Sequence, residues 1–205
     1  GDHDAVFLGL GAQKASSMRV EGEDTEGVLS GIGFLGAVSR DESYPIGKRV
    51  MVVGGGPGGY VAAMRAAQLG YKTACVEAKH MGGICLNWGC IPTKSLLKSA
   101  QVYEYFLHAA DYGISIDGKV KPEFDKVVGR SRTVAEGMSK GIEYLFKKNK
   151  IEVIKGSGKL KSPGLVVVTD SDGKATEVKA DHIILATGAR SRELPNLKQD
   201  GKKVI

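Results

Sequence analysis

Apolar residues in this chain fall into short unbroken runs separated by longer stretches with helical spacing. The short runs are Ala5-Val6-Phe7-Leu8 and residues 49–53, 72–77, 151–154, 165–169, 176–178 and 182–186. Runs of this length, rich in Val and Ile and bounded by glycine or charge, read as buried strands. Between them, 60–69 and about 92–110 read as helices, and a short helix is expected over 32–38. Pro122 opens a longer helix, in which Phe124, Val127, Val128, Val134, Met138, Ile142, Leu145 and Phe146 fall three and four residues apart on one face. Lys147, Lys148 and Lys150 close it, as cations suit the negative end of a helix dipole.

The order strand, helix, strand over 49–77 makes the two strands parallel neighbours. The runs from 151 to 179 are joined by short links, with Asp172-Gly173 as a hairpin turn, and predict a small antiparallel meander. The expected class is α/β: a doubly wound parallel sheet carrying that meander. Tyr44-Pro45-Ile46-Gly47 marks a boundary, with residues 1–47 as the tail of a preceding nucleotide-binding module plus linker and 48–205 as the main domain. An internal similarity supports the division. Residues 4–13 align without gaps on 181–190, and each copy is a buried strand ending in a small-residue turn, which makes room for a ligand at the carboxyl end of a sheet.

Composition narrows the class without changing it. At 205 residues, 42% hydrophobic and 25% charged with 29 Gly, the chain is neither disordered, collagen-like nor a disulfide-stapled scaffold. The net charge of +6 is spread along the sequence, which suits a phosphate-bearing cofactor and argues against nucleic acid as partner. No apolar run approaches the roughly 20 residues of a bilayer span, so no membrane span and a soluble, cytoplasmic protein are expected. The opening Gly1-Asp2-His3-Asp4 reads as the start of a segment cut from something longer.

Chemistry concentrates at two motifs. Gly54, Gly56 and Gly59 form G-x-G-x-x-G directly after a strand and at the opening of a helix, and Glu77 ends the next strand. Gly54 permits the tight turn, Gly56 lets backbone N–H groups approach a pyrophosphate, and Gly59 allows close helix-to-strand packing. The diphosphate then rests on the positive helix end. Glu77 is placed to accept from both ribose hydroxyls and to repel a 2′-phosphate. The bland reading is a glycine-rich turn with a solvated Glu, and spacing alone does not separate FAD from NAD.

The second motif is Gly82-Gly83-Ile84-Cys85-Leu86-Asn87-Trp88-Gly89-Cys90-Ile91-Pro92-Thr93-Lys94. Residues five apart in a helix are separated by about 7.5 Å of rise, beyond the roughly 4.4–6.8 Å that a disulfide spans between Cα atoms. If Cys85 and Cys90 bond, the backbone between them must leave the helix; Gly89 supplies the freedom, and Pro92 suits the first turn of a new helix. Cys90 then lies at a helix N-terminus, which favours its thiolate. A redox-active pair is the favoured reading, with a structural staple or metal ligation as alternatives. No metal site is expected, because His3, His80, His108 and His182 are scattered. Cys75, inside a strand, reads as core.

On these motifs, with Ala186-Thr187-Gly188-Ala189, residues 48–205 resemble the N-terminal part of the FAD-dependent pyridine nucleotide–disulfide oxidoreductases, specifically their dihydrolipoyl dehydrogenase branch. Relatives acting on glutathione carry Val where Leu86 and Ile91 stand; Thr93 and Trp88 replace a commoner Ser and a smaller apolar residue. The resemblance implies that the first glycine turn holds FAD, with Gly54, Gly56, Pro57, Gly58 and Gly59 at the pyrophosphate and Glu77 at the adenosine ribose. Gly83 lies in the loop beside the cofactor, Lys94 near the flavin N5 edge, Gly158 near the adenine, and Thr187 and Gly188 in the loop closing over it. Cys85 and Cys90 are the implied catalytic pair, Cys85 the outer interchange thiol and Cys90 the thiolate against the flavin.

The implied reaction oxidises dihydrolipoamide through the disulfide and FAD to NAD as co-substrate. The implied partner is a lipoyl-bearing protein of a 2-oxoacid dehydrogenase or glycine cleavage complex, and the full-length protein is implied to be a homodimer. The nicotinamide domain, the strand returning to complete the FAD domain, and the dimer domain with its His–Glu acid/base pair are expected beyond residue 205. Residues 1–47, through Gly22-Glu23-Asp24, Gly27-Val28, Phe34-Leu35 and Pro45 to Val50, resemble instead the glutamate synthase small subunit and related flavin electron-transfer subunits. That raises a second expectation, electron transfer between NAD(P)H and an iron–sulfur or ferredoxin partner, and a third, a noncatalytic FAD-binding fragment.

Overall fold

The computed structural model describes residues 28–40 and 48–189, with Asp24, Asn196 and Asp200. The expected strand at 5–8, its repeat of 181–190 and the 44–47 boundary therefore lie outside the described residues. In chain order the elements are β1 (Val28–Ser30), α1 (Gly31–Ser39), β2 (Arg49–Val53), α2 (Pro57–Gln68), β3 (Lys72–Glu77), α3 (Gly83–Asn87), α4 (Cys90–Leu107), a 3-10 turn (Ala109–Tyr112), α5 (Phe124–Lys148), β4 (Glu152–Lys155), β5 (Ser157–Ser162), β6 (Leu165–Thr169), β7 (Ala175–Lys179) and β8 (His182–Leu185). Five strands form a parallel sheet in the order β1-β8-β2-β3-β4, and β5-β6-β7 form an antiparallel sheet.

Alternation along the central strands divides the interior in two. Val50, Val52, Cys75 and Ile184 point to one face and join Ala62, Ala63 and Ala66 of α2 with Ile142 and Phe146 of α5. Met51, Val53, Val76 and Ile183 point to the other and meet Val166 and Val168 of the meander. A strand covered on both faces reads as a continuous apolar run, which is why β2 and β8 stand out in the sequence. Ala62, Ala63 and Ala66, all wholly buried, let the axis of α2 lie close to the sheet.

The structure corrects three expectations. The run at 151–154 was expected to begin the meander; β4 instead pairs parallel with β3, from Ala74 opposite Glu152 to Glu77 opposite Lys155. A crossover through α3, α4 and α5 returns the chain to the sheet in the same direction as β3, as a helical crossover does. The meander begins one strand later, with β5 of sequence Ser-Gly-Lys-Leu-Lys-Ser, too polar to register as a strand. The hairpin at Asp172-Gly173 is present, with Asp170 Oδ1 accepting from the N–H groups of Asp172 and Lys174.

The second correction concerns residues 28–40, where only a helix was expected. Three-residue β1 adds to the sheet beside β8, and Phe34 of α1 is wholly buried in the same core as Val50 and Ile184. The third concerns α5. Phe124 and Met138, expected on its apolar face, are 74% and 48% exposed, whereas Ser131 and Ala135 are buried. Small and hydroxyl-bearing residues therefore line the part of α5 that packs against α3 and α4.

Candidate active site

The carboxyl ends of β2, β3 and β8 meet at the glycine turn. Gly54 follows β2 with φ +107° and donates its N–H to Val76 O at 2.8 Å. A Cβ there would stand 2.2 Å from Ala186 O, and a Cβ on Gly59 would stand 1.7 Å from Gly54 O. Both positions therefore require glycine, Gly54 for its backbone conformation and the end of β8, Gly59 for the approach of α2. Gly56 is the N-cap of α2 and makes no side-chain cap hydrogen bond, while Pro57 and Gly58 are exposed. The positive end of α2 thus opens outward at the carboxyl edge of the sheet, a cradle suited to a pyrophosphate. Thr187 and Gly188 follow β8 beside this turn; Thr187 Cα would lie 3.1 Å from a Cβ on Gly54.

Glu77 has a structural duty at the same turn. Its Oε2 accepts from Gly55 N–H and its Oε1 from Lys79 N–H, each at 2.7 Å. Two backbone donors fix the carboxylate at the end of β3. Gly158 lies on β5, where a Cβ would come within 2.9 Å of Val53 Cγ1 and 3.3 Å of Val76 Cγ1. It lets the meander close onto the carboxyl ends of β2 and β3.

The cysteine loop docks directly on this turn. Gly82 N–H donates to Gly55 O at 2.8 Å, and Gly83, at φ +57°, brings its backbone against Gly56, so that a Cβ on Gly83 would stand 2.8 Å from Gly56 Cα. Cys85 lies in α3, and Cys90 is the first residue of α4. Trp88 and Gly89 break the helix between them, both donating N–H to Ile84 O, at 2.9 and 2.7 Å. Pro92 is buried in the first turn of α4.

Both cysteines are free thiols, Cys85 half-buried and Cys90 exposed. The Cys85 thiol is held above its ordinary range, first by donating a hydrogen bond to the Cys90 sulfur, then by burial and by the charge of Cys90. The Cys90 backbone N–H and the Lys94 ammonium act in the opposite direction. The balance holds Cys85 toward its protonated form. Lys94 itself is exposed, within the first turns of α4. Cys75 is a different kind of thiol, wholly buried behind the glycine turn and pushed up to about 12, first by burial and then by Glu77.

Sequence reasoning missed four residues at this site. Tyr60, in the first turn of α2, has its hydroxyl pushed up by burial and then by the charge of Cys85. Its position directly after Gly59 was the available signal. Asn87, between the cysteines, donates through Nδ2 to Met81 O at 3.0 Å and Gly83 O at 2.9 Å. From α5, Ser139 Oγ lies 2.6 Å from Met81 O and 3.0 Å from Asn87 Oδ1, and Arg132 Nη1 donates to Asn87 O at 3.1 Å. On the outer side of the loop, the exposed Trp88 ring meets His80 edge-on at 5.4 Å between centroids. Among the described residues no cluster of His, Cys, Asp and Glu could hold a metal ion, and no helix is long and apolar enough to cross a membrane.

An uncapped helix start after a glycine turn, an acidic residue on the next strand and a cysteine-bearing loop docked on that turn are the features of a dinucleotide-binding oxidoreductase module. Residues 48–205 match the model of the pyridine nucleotide-disulphide oxidoreductase family, and the chain belongs to that family. It is 51% identical over 177 residues to the dihydrolipoyl dehydrogenase of Rhizobium etli, covering 80% of this chain and 36% of the relative. With the enzyme of the same name from Zymomonas mobilis it shares 52% over 157 residues, covering 76% and 33%. Among solved structures, LpdA from Mycobacterium tuberculosis superposes with a TM-score of 0.70 at 28% identity, covering 78% of this chain and 36% of that one. The chain spans about a third of the length of the curated relatives it matches.

Proposed function

We propose that this chain is the cofactor-binding and thiol-bearing part of a dihydrolipoyl dehydrogenase, which oxidises dihydrolipoamide through Cys85, Cys90 and FAD, with NAD as co-substrate. The observation that carries this reading is the contact of Gly82 and Gly83 with Gly55 and Gly56, which sets the thiol pair against a cradle suited to a dinucleotide. Gly54, Gly56, Pro57, Gly58 and Gly59 hold the pyrophosphate on α2. Glu77 takes the adenosine ribose; Gly83, Gly158, Thr187 and Gly188 line the cofactor, with Lys94 toward the flavin. Bound FAD supplies the acceptor for an electron pair.

The steps that belong to this chain are thiol–disulfide exchanges. With Cys85 and Cys90 joined, a substrate thiolate attacks the Cys85 sulfur; the Cys85–Cys90 bond breaks and Cys90 leaves as a thiolate. The second substrate thiol, losing its proton, displaces Cys85 from the mixed disulfide, closing the substrate disulfide and leaving Cys85 to be protonated. A lipoyl-bearing protein of a 2-oxoacid dehydrogenase or glycine cleavage complex is the partner of this chemistry. The setting is a cytoplasmic homodimer of the full-length polypeptide.

The test is an assay of the full-length protein for NAD reduction by free dihydrolipoamide, set against NADH-driven dye reduction, in the wild type and in the Cys85→Ser/Cys90→Ser double variant. Loss of dithiol oxidation in the variant is expected. Full retention contradicts the disulfide mechanism and favours the electron-transfer reading raised by residues 1–47.

A further inference from the structure

The loop carrying the cysteines is tied to a helix distant in sequence. Met81 O receives two donors, Asn87 Nδ2 at 3.0 Å and Ser139 Oγ at 2.6 Å. Ser139 Oγ also lies 3.0 Å from Asn87 Oδ1, so one hydroxyl proton is shared between two acceptors. Asn87 Nδ2 in turn closes on Gly83 O at 2.9 Å, and Arg132 Nη1 holds Asn87 O at 3.1 Å. Asn87 is the last residue of α3, the position at which the backbone leaves one helix before Cys90 opens the next. The apolar stripe of α5 is interrupted here by a hydroxyl, where Met138 beside it is 48% exposed.

We propose that Ser139 is a positioning residue for the Cys85–Cys90 pair, acting through Asn87 and Met81 to hold the break between α3 and α4 in one geometry whether the sulfurs are bonded or free. The proposal rests on the redox reading of the two cysteines given above. A dithiol held in contact recloses readily, because its two sulfurs see each other at high effective concentration. Without the tie, the reduced loop gains conformations in which the sulfurs part, and the equilibrium moves toward dithiol. The hydrogen bond with Cys90 that raises the Cys85 thiol weakens with it.

The test uses the full-length flavin-loaded protein equilibrated with dithiothreitol. In that exchange the Cys85–Cys90 bond is reduced to two thiols, and dithiothreitol is oxidised to its cyclic disulfide. Ser139→Ala and Asn87→Ala are expected to shift the equilibrium constant toward dithiol by about two- to tenfold, the range of one lost neutral hydrogen bond; tenfold is about 30 mV for this two-electron couple. Ser139→Thr, which keeps the hydroxyl, is expected to restore the wild-type constant. The second readout is the pH dependence of alkylation at Cys85, which moves back toward the ordinary thiol range in Ser139→Ala and keeps its wild-type position in Ser139→Thr. A merely structural role lowers the unfolding midpoint and leaves both readouts in place. Wild-type values in both alanine variants, or in the one that folds if only one does, overturn the positioning role. A wild type in which Cys85 and Cys90 form no reversible disulfide overturns the redox reading itself, and the proposal with it.

Discussion

The backbone of Gly83, in the cysteine loop, lies against that of Gly56, in the glycine turn, so closely that a Cβ on Gly83 would stand 2.8 Å from Gly56 Cα. The atom that such a Cβ would meet is backbone and does not yield by a rotamer change. Gly83→Ala is expected to separate the loop from the turn and to place alanine in a left-handed conformation, which alone costs about 1–2 kcal/mol. The expected results are a lower denaturant midpoint and substoichiometric flavin after purification of the full-length protein. A variant with unchanged midpoint and full flavin content contradicts the contact.

Glu77 is expected to act on the turn before it acts on any ligand. Its carboxylate holds the N–H groups of Gly55 and Lys79, and hydrogen bonds to a charged group contribute about 1.5–3 kcal/mol each. Glu77→Ala should therefore weaken FAD binding by about 1.5–3 kcal/mol and also destabilise the flavin-free protein. Isothermal titration with FAD, paired with urea unfolding of the apoprotein, separates the two effects. Loss of affinity with no loss of apoprotein stability assigns Glu77 to the ribose alone.

Cys75 predicts an alkaline limit on stability. Its thiol is pushed up to about 12 in the folded protein by burial, against about 8.5 in an unfolded chain. The unfolded state therefore releases this proton first as pH rises. The stability linked to Cys75 is complete below about pH 8.5 and declines up to about pH 12, with a limiting slope of about 1.4 kcal/mol per pH unit. Comparing unfolding free energies of the wild type and Cys75→Ala between pH 8 and 10.5 isolates this slope from other titrations. Parallel curves contradict the assignment.

What the sequence revealed followed from local rules. Gly54 and Gly59 were legible because a strand, a tight turn and a helix within a dozen residues leave few other uses for glycine, and the φ of Gly54 and the approach of Gly59 to Gly54 O agree. The break between Cys85 and Cys90 was legible because a regular helix holds the two too far apart. The pairing of β4 was not, because Glu152–Lys155 is short and mostly exposed and its partner β3 is reached only through three intervening α-helices. β1, at three residues, is too short to carry a pattern. Ser139 was hidden for a related reason: it is 52 residues from Asn87, and a serine within an apolar stripe reads as a blemish until its partner is seen. Phe124 was misread because helical spacing identifies a face without saying where along the helix the core ends.

The inequality of the two thiols is the centre of the account, and an absorption spectrum tests it. Cys90 opens α4, where a helix dipole favours a thiolate, and the Cys85 thiol is raised above its ordinary range, first by its hydrogen bond with the Cys90 side chain. In the full-length flavin-loaded protein, Cys85→Ser leaves Cys90 unpaired and should give a long-wavelength thiolate-to-flavin charge-transfer band that fades on acidification. Cys90→Ser should retain flavin and show no such band at any pH. A band in Cys90→Ser with none in Cys85→Ser contradicts the assignment of the two sulfurs, and a band in neither removes Cys90 from the flavin.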